Sequence, residues 1–243
     1  KKGYELDMRT EAFDMLAPQV FPHALMVNLS VVGEPLMVPY LDRVLATARE
    51  WQTRIEFITN GQLLDQPMIE RVGPQTAAMI FSFDGGTRTT FNRIRIGGDF
   101  NVITRNMLLF DRWRSRLPGD AYRPGLHMNV TLMRENIREL PTIVRIAKLL
   151  NVDRVNAAWM IAFNETMAKS SLFKHRALAN AWLARARRVA LELGVSTVLP
   201  APMPGVTDEE VAAVPMDEPV LPDGPLPHLL EMLAGGEAPS LVP

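Results

Sequence analysis

Segments in which apolar and polar residues alternate recur along the chain and are separated by segments of helical period. Leu25–Val32 (LMVNLSVV) alternates and is rich in β-branched residues, and Leu126–Leu132 (LHMNVTL) alternates strictly, so both predict strands. Between them, Pro39–Trp51 repeats its apolar residues at the spacing of an amphipathic helix. The other predicted strands are Arg54–Ile58, Ala77–Phe83, Asp153–Ala158 and Val195–Leu199.

This alternation of strands and helices is typical of repeated βα units, which build a parallel sheet. The other predicted helices are Thr10–Leu16 with Thr10 as N-cap, Leu64–Val72, Thr87–Ile96, a helix from the N-cap Asp99 towards Trp113, Glu135–Leu150, and Phe173–Leu193 ended by Gly194. Six predicted strands fall short of the eight of a complete barrel. The fold class is therefore α/β, a partial (β/α)6 TIM-like barrel. Because the sequence begins with a helix that feeds a strand, we expect that the first strand of the barrel is missing.

The last 43 residues differ from the rest of the chain. All 26 lysines and arginines precede residue 201, whereas eight of the 27 acidic residues and nine of the 19 prolines follow it. Dense proline fixes φ and removes backbone donors, so no regular element is expected before about Pro227. The predicted division is a barrel over 1–200 and an acidic, proline-rich tail or linker over 201–243, in which only Leu226–Leu233 has an amphipathic helical pattern.

Composition narrows the class of protein. A hydrophobic fraction of 47% and a charged fraction of 22% are ordinary for a soluble globular protein. The net charge of −1 gives no argument for a nucleic-acid partner. No apolar run approaches the roughly 18 residues of a membrane span, and the first residues lack the apolar stretch of a signal peptide. The expectation is a cytoplasmic protein without membrane contact, whose chain, lacking an initiator Met, begins inside a longer sequence or after processing.

The chain contains no cysteine, although it has 14 methionines. This excludes disulfides, thiolate metal sites and cysteine nucleophiles within these residues. No other metal-ligand cluster is apparent, so no metal-binding residue is predicted.

Polar residues collect where the predicted strands end, which is where chemistry collects in barrel and doubly wound folds. Within strands, His127, Asn129 and Thr131 share one face, as do Asn28 and Ser30, because side chains alternate with period two. If that face is the lumen, the barrel encloses a polar cavity; if it is the outer face, these residues lie beneath helices and require partners there. The strand ends carry Gly33-Glu34-Pro35, Thr59-Asn60-Gly61, Ser82 with Asp84-Gly85-Gly86, Thr131, and Asn156.

Each of these motifs also has a purely structural interpretation. Thr59-Asn60-Gly61 and Asp84-Gly85-Gly86 are ordinary turn sequences, since Asn and Gly tolerate positive φ. Glu34 suits the first turn of a helix, where the macrodipole favours an acid. His127 has no neighbour at ligand spacing, so a structural role is the better prediction for it.

Their order and spacing resemble the radical S-adenosylmethionine family, and more narrowly its subgroup with a C-terminal, cysteine-rich auxiliary-cluster domain of SPASM type. The resemblance extends from about residue 4 to 200. It rests on Leu29–Leu36 (LSVVGEPL), Ile58–Gly61 (ITNG), Phe81–Gly85 (FSFDG), Arg93–Phe100 (RIRIGGDF), Asn129–Ile137 (NVTLMRENI) and Asp153–Ala157 (DRVNA).

The resemblance implies which positions bind S-adenosylmethionine. Gly33-Glu34-Pro35 matches the motif that contacts the amino group of this cofactor in the family, and Thr59 with Asn60 matches the strand end that borders the methionine part. Ser82 and Asp84 match the strand end that meets the ribose or the methionine, and Asn129 and Thr131 lie near the adenosine. A zwitterion with a ribose requires such donors and acceptors at a cavity mouth. No catalytic side chain is assigned.

Two departures from the family pattern matter. The family often has two glycines before the Glu-Pro pair, whereas here Val32 stands in the first position. The three-cysteine loop that holds the family's [4Fe–4S] cluster is absent, and Lys1–Met8 resembles the stretch just after that loop. Because Ala238–Pro243 resembles the lead-in to the cysteine-rich domain, we expect a chain trimmed on both sides.

Three functions are weighed. The first is the core of a radical enzyme whose full-length form cleaves S-adenosylmethionine reductively at a [4Fe–4S] cluster and modifies a substrate, for which a peptide is a candidate; the chain alone is then inactive. The second is a clusterless module that binds the cofactor or another nucleotide-like ligand without catalysis. The third, an unrelated hydrolase or aldolase barrel, is disfavoured because the chain has no Ser-His-Asp arrangement at a nucleophile elbow and no lysine at a strand end.

Overall fold

The computed structural model describes residues 8–29, 33–217 and 231. Within these residues the chain forms one parallel sheet in which six strands lie in chain order. The strands are β1 (Met26–Asn28), β2 (Arg54–Thr59), β3 (Thr76–Ser82), β4 (Gly125–Leu132), β5 (Arg154–Trp159) and β6 (Thr197–Val198). Among the described strands, β1 and β6 each have one neighbour only, so the sheet is open. The predicted α/β partial barrel is confirmed.

Helices connect successive strands, since parallel pairing of neighbouring strands requires a crossover connection. The α-helices are α1 (Thr10–Val20), α2 (Leu41–Glu50), α3 (Gln66–Val72), α4 (Arg88–Ile94), α5 (Phe100–Ser115), α6 (Leu140–Leu149), α7 (Glu165–Ala168), α8 (Arg176–Leu193) and α9 (Asp208–Ala212). Short 3-10 turns precede several of them, including Pro35–Met37, Ile137–Glu139 and Leu172–Lys174. In the described part of the chain, no helix combines the length and the apolarity needed to cross a bilayer.

The two faces of the sheet differ in polarity. On β4, Leu126, Met128 and Val130 are buried in the hydrophobic core beneath the helices. The alternate residues His127, Asn129 and Thr131 are half-buried on the opposite, concave face. The polar set therefore lies on the lumen side, the first of the two arrangements that the sequence allows.

Several element boundaries differ from the prediction. Arg9 rather than Thr10 precedes α1, and no side chain caps this helix end. Of the predicted strand Leu25–Val32, Met26–Asn28 form β1 and Leu25 and Leu29 lie outside it, whereas residues 30–32, among them Ser30, are outside the described residues. The long helix begins at Arg176 instead of Phe173 because a 3-10 turn comes first. Asp99 is confirmed as an N-cap, since its carboxylate accepts hydrogen bonds from the Asn101 and Val102 N–H groups at 2.7 and 3.3 Å.

The start of the predicted tail is more ordered than its proline content suggests. The side-chain amide of Asn180 on α8 bonds both backbone groups of Met203, at 2.8 and 2.9 Å. Helix α9 then packs on α8 and begins with a capping box between Thr207 and Glu210. The expectation of no regular element before Pro227 is wrong, because a capping box satisfies the donors that open a helix. Of the amphipathic stretch Leu226–Leu233, only Glu231 is described, and it is helical.

At the amino ends of the strands, one arginine joins three separate segments. Arg114 on α5 donates to Asp111 at 2.9 Å, to Asp153, and to the carbonyl oxygens of Pro124 and Asn151 at 3.2 and 2.6 Å. Its side chain is 2% exposed. Because α5, the segment before β4 and the segment before β5 meet at this guanidinium, its hydrogen bonds hold these three segments together at the amino ends of the strands.

Gly61, two residues after the end of β2, allows a close packing contact with β3 and α5. Its φ is +74°, and a Cβ atom there would lie 2.7 Å from a Phe81 ring carbon and 2.8 Å from Ile103 Cγ1. We expect Gly61→Ala to lower the free energy of unfolding by about 2–5 kcal/mol, since left-handed backbone alone costs roughly 1–2 kcal/mol and overpacking adds about 1–3. Chemical denaturation measures the change.

Gly97→Ala is the matched control for this prediction. Gly97 has a similar φ of +82°, but a Cβ atom there would have nothing within 4 Å. Its loss should be only the backbone cost of about 1–2 kcal/mol. Equal losses in the two variants would show that the packing at Gly61 contributes nothing.

Candidate functional site

The carboxylate of Glu34 links the end of β2 to the segment after β1. It accepts hydrogen bonds from the Thr59 hydroxyl at 2.7 Å, the Asn60 N–H at 2.8 Å and the Leu36 N–H at 3.2 Å. Three of the predicted site residues, Glu34, Thr59 and Asn60, are thus brought together. Glu34 remains half-buried, whereas Thr59 is buried on the helix-facing side of the sheet. Thr59 therefore holds the Glu34 carboxylate from the helix-facing side of the sheet.

The neighbours of Glu34 shape this segment. Gly33 is exposed and has a φ of +96°, a conformation that favours glycine. Pro35 is buried and opens the 3-10 turn Pro35–Met37. Both residues set the direction of the chain around Glu34. Neither Gly33 nor Pro35 has a polar side chain that could hold a ligand.

Asp84, after β3, is buried and fully engaged by protein groups. Its Oδ2 accepts Arg95 Nε and a second guanidinium nitrogen, each at 2.6 Å, and its Oδ1 accepts the Thr131 N–H at 2.7 Å. Its carboxylate is therefore directed at Arg95 and β4. Arg95 follows α4 and is about one-third exposed, with a side-chain exposure of 32%. The fixed carboxylate holds this cation at the carboxyl edge of the sheet.

Three polar side chains form a row across the concave face. Ser82, Asn129 and Asn156 lie at one level on β3, β4 and β5, because they are register partners. The amide of Asn156 donates to Asn129 Oδ1 at 3.0 Å. Within the described residues the Ser82 hydroxyl, the Asn129 NH2 group and the Thr131 hydroxyl have no hydrogen-bond partner, so this row presents donors and acceptors to the lumen.

A second buried carboxylate fixes the loop that carries Asp84. Glu139 accepts hydrogen bonds from the N–H groups of Gly86 and Thr87 at 2.8 and 3.1 Å, and from the hydroxyls of Thr87 and Thr90 at 3.2 and 2.6 Å. The Glu139 carboxylate lies at the amino end of α4, where the helix dipole favours a negative charge. The loop between β3 and α4 is thereby held rigidly beside the polar row.

His127 lies one level below this row, beside Arg154 of β5. Its Nδ1 is buried without a hydrogen-bond partner in the structure. Burial lowers the pKa of His127 below its ordinary value of 6.5, and the nearby positive charge of Arg154 lowers it further. The imidazole is therefore neutral near neutral pH. Its ring lies over Gly125, where a Cβ atom would approach Nε2 to 2.9 Å. The structural role of His127 stays a prediction.

The residues present do not fit an iron–sulfur cluster. Such clusters are held by cysteine thiolates, and the chain has none. Among residues 8–29, 33–217 and 231, no group of three histidine or acidic side chains is placed to hold a metal ion. The fit to S-adenosylmethionine is better, because the open lumen offers unpaired hydroxyl and amide groups, a half-buried carboxylate and a partly exposed guanidinium at one edge.

Sequence reasoning missed Arg95, Glu139 and the hydrogen bond that Asn156 makes. Arg95 lies inside the motif Arg93–Phe100 that carries part of the resemblance, but nothing in its spacing pairs it with Asp84. Glu139 is 53 residues from Gly86, too far for a local pattern to connect them. For the hydrogen bond of Asn156, the sequence does contain one signal. When β4 and β5 are aligned in register, Asn156 stands next to Asn129.

Comparison with known proteins gives a likeness in fold. No family model and no curated protein matches the chain. The structure of SuiB from Streptococcus suis bound to S-adenosylmethionine aligns with a TM-score of 0.53 at 13% identity, over 72% of this chain and 37% of SuiB. SuiB bound to the precursor peptide SuiA gives 0.52 at 12% identity, over 72% and 38%, and another SuiB structure gives 0.53 at 12%, over 79% and 43%.

The chain spans less than half the length of SuiB. At such low identity the likeness concerns the fold alone. Over the aligned residues, the open parallel sheet with its connecting helices shares its fold with SuiB, in agreement with the predicted partial barrel.

Proposed function

We propose that this chain is the S-adenosylmethionine-binding core of a radical S-adenosylmethionine enzyme. The observation that carries the proposal is the polar row of Ser82, Asn129 and Asn156, which lies on the open lumen face at the same edge as Glu34 and Arg95. Support comes from the fold shared with SuiB, which has been solved with S-adenosylmethionine, and from the ordered motifs of the sequence.

The chemistry of the residues suits the two ends of the cofactor. The carboxylate of Glu34 keeps an accessible side for an ammonium group, and the Arg95 guanidinium, held by Asp84, suits a carboxylate. Ser82, Asn129 and Thr131 supply hydroxyl and amide groups for the ribose and adenine. Thr59 and Asp84 act as positioning residues, Asn60 contributes its backbone N–H to Glu34, and Gly33 with Pro35 shapes the loop.

The enzymatic activity is proposed for the whole protein only. Bound S-adenosylmethionine supplies a carbon–sulfur bond whose reductive cleavage starts radical chemistry. The thiolates of the [4Fe–4S] cluster that drives this cleavage are not among these 243 residues. The clusterless binding module stays the alternative, and formation of 5′-deoxyadenosine by the whole protein separates the two. The auxiliary-cluster subgroup, the cytoplasmic location and a peptide substrate belong to the same proposal.

Calorimetric titration of the chain with S-adenosylmethionine tests the site. We expect weak binding that Ser82→Ala and Asn129→Ala each reduce about fivefold to tenfold, because one hydrogen bond contributes roughly 1 kcal/mol. Ser196→Ala, an exposed serine at the amino end of the sheet, is the control and should leave the affinity unchanged. Binding that neither site variant weakens would place the ligand elsewhere.

A further inference from the structure

Asn136, in the segment after β4, contacts two separate residues of the candidate site. It is completely buried, and its side-chain amide makes three hydrogen bonds. The NH2 group donates to the carbonyl oxygens of Asp84 at 3.0 Å and Thr131 at 2.8 Å. The amide oxygen accepts the Met133 N–H at 2.9 Å. One side chain therefore connects the segment after β3 with the end of β4.

These hydrogen bonds lie where the backbone pairing of β3 with β4 ends. The last register pair of the two strands is Ser82 with Asn129, and the Phe83 N–H donates to the Asn129 carbonyl oxygen at 2.8 Å. Beyond this point, side chains hold the backbone of Thr131. Its N–H donates to the Asp84 carboxylate at 2.7 Å, and its carbonyl oxygen accepts the Asn136 amide. Asp84 and Asn136 thus take the place of strand pairing at this edge.

The chemistry of asparagine suits this position. The three partners of Asn136 are two carbonyl oxygens and one N–H, which require two donors and one acceptor from a single side chain. A carboxylate has no donor for the carbonyl oxygens, and an aliphatic side chain has neither donor nor acceptor. Because the site is buried, a partner that loses its hydrogen bond is not compensated by water. Asn136 therefore fixes the backbones of Asp84 and Thr131 relative to each other.

The position of the Arg95 guanidinium depends on this geometry. The two oxygens of the Asp84 carboxylate are shared between Arg95, at 2.6 Å, and the Thr131 N–H. If the backbone of Asp84 shifts relative to Thr131, the carboxylate cannot keep both contacts. Of the carboxylates that the structure describes, only that of Asp84 pairs with Arg95. The placement of Arg95 is therefore linked to Asn136, which does not contact it.

We propose that Asn136 is a positioning residue of the candidate site, which sets the place of the Arg95 guanidinium relative to the lumen face of β4. It acts through Asp84 and Thr131, because a completely buried side chain does not reach a ligand. A ligand with an anionic group at Arg95 and a hydroxyl or amide partner on β4 requires both groups at a fixed spacing. That this ligand is S-adenosylmethionine rests on the function proposed above, whereas the dependence of Arg95 on Asn136 rests on the hydrogen bonds.

Hydrogen exchange of the Arg95 Nε–H, followed by NMR on the full chain, tests the inference without any ligand. The signal is assigned by its absence in Arg95→Lys. In the wild type, the hydrogen bond to Asp84 should protect this proton. In Asn136→Leu the proton should exchange roughly fivefold to tenfold faster, as the weakening of one hydrogen bond predicts. Exchange as slow as in the wild type would overturn the proposal.

Asn180→Leu is the matched control. Asn180 is also buried, and its amide bonds both backbone groups of Met203, which is not a candidate site residue. Asn136→Leu and Asn180→Leu should each lower the thermal midpoint by roughly 5–10 °C, because both leave buried backbone groups unsatisfied. Only Asn136→Leu should speed the exchange of the Arg95 proton. Equal acceleration in the two variants would show a general loss of stability and overturn the positioning role.

Asn136→Ser extends the test to a smaller side chain, in case leucine does not fit the buried position. A serine hydroxyl has a single proton and cannot donate to both carbonyl oxygens, so the Arg95 proton should again exchange faster. Failure of both Asn136 variants to fold would assign Asn136 to the fold as a whole and overturn the proposal.

Calorimetric titration with S-adenosylmethionine connects this inference to the proposed function. Asn136→Ser should weaken binding roughly tenfold, whereas Asn180→Leu should change the affinity by less than about twofold. Wild-type affinity in Asn136→Ser would overturn its role in the site. A wild type that does not bind S-adenosylmethionine would reject the proposed function alone, since the exchange of the Arg95 proton still decides the inference. Wild-type binding together with unchanged Arg95 exchange in Asn136→Ser would reject the inference alone.

Discussion

Replacing Arg114 by leucine is expected to lower the free energy of unfolding by about 3–5 kcal/mol, the cost of breaking a buried charged network. The guanidinium is almost completely buried and bonds Asp111, Asp153 and two carbonyl oxygens. Its removal leaves the Asp111 carboxylate buried and two carbonyl oxygens unsatisfied. Chemical denaturation followed by circular dichroism measures the loss.

Arg116→Leu is the matched control, because Arg116 lies two residues further on and is exposed. Its substitution should change the free energy of unfolding by at most about 0.5 kcal/mol. Similar losses for Arg114→Leu and Arg116→Leu would contradict the role of the buried network.

The same network predicts a dependence of stability on pH. Burial raises the pKa of Asp153, but hydrogen bonds from Arg114 and from the Leu126 N–H outweigh it, so the pKa lies below its ordinary value of 3.8. The charged form is thus favoured by folding. Its contribution is fully present above pH 3.8 and is lost as the pH falls through the lower folded value. In Arg114→Leu this acid-side loss should shrink.

Substituting Glu139 is the second change with a large expected effect. Glu139→Leu should lower the free energy of unfolding by about 2–4 kcal/mol, because two backbone N–H groups and two hydroxyls lose a buried acceptor. The loop with Asp84 loses its anchor, so binding of S-adenosylmethionine should also weaken. Thermal denaturation and calorimetric titration measure the two effects.

Glu139→Gln and Glu192→Leu complete this experiment. Glutamine keeps one acceptor oxygen and should restore part of the stability. Glu192 is exposed on α8, and its substitution should be nearly neutral. A Glu139→Leu variant as stable as Glu192→Leu would show that the four hydrogen bonds contribute nothing to folding.

The periodic spacing of apolar and polar residues along the sequence was sufficient to predict the architecture. The strict alternation of Leu126–Leu132 identifies β4 within one residue, because one face packs under helices and the other faces the lumen. Leu25 and Leu29 were predicted as strand residues but lie outside β1, since alternation does not show where strand pairing ends; residues 30–32 of that prediction lie outside the described part of the chain. The start of α8 was placed too early because Phe173 continues the helical pattern while the backbone forms a 3-10 turn.

The candidate site was only partly predictable. Thr59-Asn60-Gly61 is both a turn and a site element: Asn60 Oδ1 accepts the Gln62 N–H at 2.9 Å, and the Asn60 N–H binds Glu34. Sequence suggested Asp84 as a ligand contact, but only coordinates show that its carboxylate is occupied by Arg95. Contacts between distant segments decide which side chains are already engaged in internal hydrogen bonds. Local sequence patterns contain no information on these contacts.

The order of the strands in the sheet bears on how the protein is made. In the described part of the chain every strand pairs with the strand that precedes it, from β1 through β6. A nascent chain that has just exposed β4 therefore already contains the sheet neighbours of β2 and β3, and each later strand adds at one edge of the sheet. Because each parallel pair is joined across intervening helix, the strand contacts are not local, and the sheet is expected to form more slowly than a helical bundle of similar length.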